Sequence, residues 1–179
     1  MSDGDMTVVA GIEIPSTSLV FLTMVGLHIL IACVCVVSGV VAMLSPKRVG
    51  RHPTFGAIYF WSLSLVFLSA AGLSVMRWKE DYHLFILGML ACSSAVLARQ
   101  AVRWRGPYWA RMHITGMGLS YVLLLTAFYV DNGKSLPLWK ELPSLAYWIL
   151  PAAVGLPLIV RALLLHPLAR SRPNPSKVA

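Results

Sequence analysis

The sequence predicts an all-α integral membrane protein of five transmembrane helices, with a four-helix core of two hairpins and a fifth, proline-kinked helix. Three observations predict it. Hydrophobic residues fill 58% of the 179 positions and charged residues only 12%, so too little polar surface exists to cover a soluble globule. Five apolar stretches each reach the ~20 residues that a helix needs to cross the hydrocarbon of a bilayer. The basic residues gather in alternate loops, the charge asymmetry expected of a multi-spanning chain.

The stretches run over residues 17–44, 55–76, 82–102, 108–130 and 142–165. Residues 1–16 read as an exterior tail, 17–165 as a single membrane domain and 166–179 as a disordered cytoplasmic tail. The tail before the first span carries Asp3, Asp5 and Glu13 and no Lys or Arg, the reverse of a secretory signal's basic start. Cys33 and Cys35 in the first span are two apart and so point to different helix faces, which argues against a shared metal, and no disulfide framework is expected.

Breaks between spans carry turn and cap residues: Ser45-Pro46 with Gly50, the charged run 77–81, Gly106-Pro107, and Asn132-Gly133. Pro143 suits the first turn of the fifth helix, and Pro151, Gly155 and Pro157 inside it predict a kink. In lipid each helix satisfies its own backbone hydrogen bonds, so continuous helices joined by short polar loops are the economical reading.

Basic residues set the orientation. Lys47, Arg48 and Arg51, then Arg99, Arg103, Arg105 and Arg111, then Arg161, Arg170, Arg172 and Lys177 put eleven on one side; Arg77, Lys79, Lys134 and Lys140 put four on the other, with all seven acids. The chain is therefore expected in a bacterial cytoplasmic membrane with its amino terminus outside and its carboxyl terminus cytoplasmic. The net charge of +8 is chiefly this topological signal, with anionic lipid at the cytoplasmic face as the expected partner and no role for nucleic acid. Aromatic residues such as Trp78, Tyr82, Trp104, Trp109 and Trp139 fall near the predicted borders and read as interfacial anchors.

A weak internal repeat joins the first two hairpins. Arg51-His52-Pro53-Thr54-Phe55-Gly56 and Arg111-Met112-His113-Ile114-Thr115-Gly116 share an Arg near a His, a Thr two residues on, and a Gly within a turn. His28 and His83 occupy the partner helices, and ionisable side chains at membrane depth are functional candidates by default. Two histidines from facing helices can ligate one haem iron, so b-type haem is the most concrete use of such residues. The repeat suggests His52 with His113 as an inner pair and His28 with His83 as an outer pair. The latter differ in depth by roughly 4–5 Å at 1.5 Å per residue. Gly26, Gly56 and Gly116 would leave room for a macrocycle, and Arg51 and Arg111 would pair with its propionates.

A plainer reading stands beside this. Gly116 and Ser120 have the small-xxx-small spacing of helix packing, His52 suits a helix start, and His83 and His166 suit loop positions. Ser62, Ser64, Ser69 and the Ser93-Ser94 pair read as residues bonded to their own backbone. No carboxylate lies inside a span, and no phosphate loop, zinc-protease motif or serine nucleophile elbow occurs.

Three stretches carry a resemblance. Leu27-His28-Ile29 with Gly39, His52-Pro53-Thr54-Phe55-Gly56-Ala57-Ile58-Tyr59, and His113-Ile114-Thr115-Gly116-Met117-Gly118-Leu119-Ser120-Tyr121 are similar to a bacterial family of predicted multi-spanning membrane proteins of unknown function, with its His-x-x-x-Gly-x-x-Tyr and His-x-x-x-Met-x-x-Ser-Tyr motifs. The likeness spans roughly residues 20–165; Pro53 and Ile114-Thr115 depart from it, standing where that family tends to carry basic residues. It implies fold and location and assigns no activity. The layout of histidines on alternate helices also resembles cytochrome b561-type electron carriers, by analogy of arrangement.

Three functions follow as expectations: a b-type haem-binding electron-transfer protein, a non-catalytic accessory or assembly subunit of a larger membrane complex, and a carrier of lipid, quinone or another small molecule.

Overall fold

The computed structural model describes residues 7–9, 12–14, 19–47, 50–137 and 139–170. Five long helices dominate: α1 (Leu19–Leu44), α2 (Arg51–Met76), α3 (Trp78–Trp104), α4 (Trp109–Asn132) and α5 (Ser144–Leu165). All five are long and apolar enough to cross a bilayer, so the chain is an all-α integral membrane protein with five transmembrane helices. Two small elements flank them. Strands β1 (Thr7–Val9) and β2 (Ile12–Ile14) pair antiparallel with Thr7 opposite Ile14, inside the stretch expected as a tail. A four-residue helix, α6 (Pro167–Arg170), follows α5. The expected disorder at the carboxyl end concerns residues 171–179, which lie outside the described residues.

The chain divides into two compact units, Met1–Phe85 and Ile86–Ala179. In the amino-terminal unit α1 packs along α2, burying Cys35, Ser38 and Ala42 of α1 and Tyr59, Leu63 and Val66 of α2. The Cys35 thiol lies 3.8 Å from the carbonyl of Tyr59, whereas Cys33 is exposed, so the two cysteines do face different ways. Hydroxyls inside the helices bond to their own backbone as expected: Ser38 donates to Cys35 O, Ser62 to Ile58 O, Ser64 to Phe60 O.

Helix α2 begins four residues earlier than the apolar pattern suggests, because its first turn is built from polar Arg51, His52, Pro53 and Thr54. Gly50 makes this start possible. Its φ of 117° lies where side chains are strained, and its carbonyl takes both the amide and the hydroxyl of Thr54. The charged run after α2 is not a loop. Arg77 alone separates α2 from α3, and Glu80 and Asp81 sit in the first turn of α3, where the helix dipole favours acids.

In the carboxyl-terminal unit a stripe of Ala91, Ala95, Ala98 and Ala101 is buried on α3, and α4 packs closely along α5. Two glycines permit that approach: Gly118 abuts Ile159, and Gly155 abuts Val122. Helix α5 is continuous through Pro151 and Pro157. At the far end of α4 Gly133 lies under the Tyr147 ring, whose hydroxyl donates to the carbonyls of Trp139 and Leu142. Large apolar side chains such as Leu30, Val37, Leu68, Leu97 and Leu164 are exposed along the helices, the surface a bilayer solvates.

Candidate functional site

The histidines are placed by helix packing, one joint at a time. His52 is the second residue of α2, and its Nδ1 lies 2.8 Å from the carbonyl oxygen of Ala42, near the end of α1. His113 is the fifth residue of α4, and its Nδ1 lies 3.2 Å from the carbonyl oxygen of Ala98 on α3. The two sequence copies therefore make the same contact. In each, a histidine in the first turns of a helix reaches back to a buried alanine carbonyl on the preceding helix.

A carbonyl only accepts, so Nδ1 must carry the hydrogen in both residues, and in the neutral ring the lone pair then sits on Nε2. His113 lies three residues deeper into its helix than His52, and Ala98 lies four residues further from its helix end than Ala42.

Ala42 O has a second donor. Lys47 Nζ lies 3.1 Å from it, 2.6 Å from Met43 O and 3.1 Å from Ser45 O, so the lysine caps the carboxyl end of α1. Partial burial pushes the Lys47 ammonium below its usual pKa. The sequence marked Lys47 only as a loop cation; a basic residue three positions past a helix end is the signal of a capping role.

His28 has a partner that its apolar neighbours hide. Its Nδ1 lies 2.8 Å from Ser69 Oγ on α2. Ser69 Oγ donates its one hydrogen to the backbone of its own helix, with the Leu65 and Val66 carbonyls at 2.9 and 3.0 Å, which leaves the oxygen to accept from His28 Nδ1–H. The Phe67 and Phe85 rings meet at 5.7 Å, tilted by 40°, and join α2 to α3 within the amino-terminal unit. The His83 ring stands edge-on to Tyr82.

The glycines separate. A Cβ on Gly26 or Gly56 would meet nothing within 4 Å, whereas one on Gly116 would stand 2.8 Å from both Ala98 Cβ and Ser94 O. Gly116 is thus a packing glycine against α3, and the room expected beside it is filled.

The arginines separate too. Arg51 is exposed at the start of α2, while Arg111 Nε donates to Ala169 O at 2.7 Å and holds α6 against α4. Among the described residues no group of three His, Cys, Asp or Glu could hold a metal ion, so a bare metal centre has no donor set there. No family model, curated protein or solved structure matches the chain.

Proposed function

We propose that this is an integral protein of the bacterial cytoplasmic membrane, amino terminus outside and carboxyl terminus cytoplasmic, that binds b-type haem through its helix-border histidines and passes electrons. The orientation is supported by the eleven-to-four asymmetry of basic residues and by all seven acids lying on the poorer side. Haem binding is supported by one observation above the others: His52 and His113 both donate Nδ1–H to a backbone carbonyl. That second bond fixes the tautomer and ring orientation that metal-ligating histidines use, and it raises the basicity of Nε2.

On this reading His52 of the amino-terminal unit and His113 of the carboxyl-terminal unit would each supply an imidazole ligand near a helix start, and His28 and His83 would do so within the amino-terminal unit. The haem would supply one-electron redox chemistry, its potential tuned by ligand identity and burial. The chain's own residues hold the rings: Ala42, Ala98 and Ser69 orient them, and Gly26 and Gly56 leave open helix faces. Arg111 is committed to Ala169 and Gly116 to α3, so neither is carried forward as a haem contact. His52→Ala and His113→Ala, each expressed with haem supplied, test the reading by the haem bound per purified chain. Loss in both supports it; no change in either contradicts it.

A second reading has its own observation. His28, His52, His113, Gly116 and Arg111 each join one helix to another, which suits an accessory or assembly subunit whose polar residues lock a bundle. Co-purification with a larger membrane complex, with no pigment on this chain, favours that reading.

A further inference from the structure

On the amino-terminal unit, α1 and α2 leave an open groove lined by Leu30, Ile31 and Val34 of α1 and by Thr54, Ile58 and Trp61 of α2, continuing to Leu65. Its hydroxyls are spent on their own helix backbone. Thr54 donates to Gly50 O and Ser62 to Ile58 O and Tyr59 O, so the lining presents hydrocarbon and one indole face. From Thr54 to Leu65 the groove descends about 16 Å at 1.5 Å per residue, close to the hydrocarbon depth of one leaflet, about half of 30 Å.

The mouth of this groove is basic. Arg51 lies one helical turn before Thr54 on the same face of α2 and is exposed. We propose that the groove is a binding site for an anionic glycerophospholipid, one acyl chain lying between α1 and α2 and the headgroup phosphate meeting Arg51. Groove length selects a single chain in the leaflet at that border, and the charge at the mouth selects an anionic headgroup over a zwitterionic one. The site does not depend on haem.

The test uses the full chain in nanodiscs with Trp61 as the sole tryptophan, the other five changed to Phe. Brominated phosphatidylglycerol diluted into phosphatidylcholine should quench Trp61 more than brominated phosphatidylcholine at the same mole fraction. Arg51→Gln should remove that excess, lowering the preference about fivefold, the worth of one basic residue at an anionic surface. Should the multiply substituted chain fail to fold, the wild-type chain and Arg51→Gln are compared by native mass spectrometry for retained phosphatidylglycerol and phosphatidylcholine. Preferential retention by wild type, reduced in Arg51→Gln, supports the site. Equal quenching or retention of both lipids, or an anionic preference untouched by Arg51→Gln, reduces the groove to ordinary annular contact and overturns the proposal.

Discussion

The Nδ1 atom of His52 lies 2.8 Å from the carbonyl oxygen of Ala42, joining the first turn of α2 to the last turn of α1. Lys47 Nζ reaches the same oxygen at 3.1 Å, so two cationisable side chains meet at one helix end. The bond fixes which nitrogen of His52 holds the lone pair, and the cap fixes where the carbonyl points.

Stability should respond to pH through Lys47. Burial lowers its pKa in the folded chain below 10.5, so between the lowered value and 10.5 the unfolded chain holds more protons than the folded one. Stability should therefore rise with pH across that window and stay level below it. Detergent unfolding followed over alkaline pH should show the rise in wild type and lose it in Lys47→Met; identical profiles would contradict the burial of the ammonium.

The His28–Ser69 contact should be measurable as a coupling. In a cycle of His28→Ala, Ser69→Ala and the double variant, the interaction term should be about 0.6 kcal/mol and no more than about 1.7 kcal/mol, the range for interhelical hydrogen bonds in membranes. A term of zero would place the imidazole away from Ser69.

Gly116 and Gly56, alike in the sequence repeat, should behave oppositely. An added Cβ at Gly116 meets Ala98 and a backbone oxygen of Ser94, so Gly116→Ala should cost about 1–3 kcal/mol, the range for overpacking. Gly56→Ala meets open space and should be stabilising by about 0.5–1 kcal/mol through helix propensity. Unfolding of the two variants side by side checks this, and equal effects would remove the distinction.

Gly155 and Val122 should compensate one another. Gly155→Ala drives a methyl into the Val122 side chain and should destabilise the α4–α5 contact, and adding Val122→Ala should recover most of the loss. Failure of the second change to rescue would mean that the helices do not meet at these positions.

The sequence made the five spans legible because lipid imposes one rule on every residue: a long apolar run must be helical. The polar first turn of α2 escaped that rule, since Arg51, His52 and Pro53 look like loop, and so did the start of α3, where Glu80 and Asp81 look like a break. Local spacing also found His52 and His113 as matching positions of a repeat. It could not find Ser69 as the partner of His28, 41 residues away, nor Ala169 as the partner of Arg111, 58 away, because both depend on how antiparallel helices register. It could not tell Gly56 from Gly116 either, since the difference is what the facing helix puts there.

Whether these imidazoles ligate haem is tested most directly by a reduced-minus-oxidised absorption spectrum of the detergent-purified chain, expressed with haem supplied. Ligation predicts paired Soret and alpha bands of a b-type haem in the wild-type chain, lost or weakened in His52→Ala and His113→Ala variants that still fold. A folded wild-type chain with neither band would contradict it.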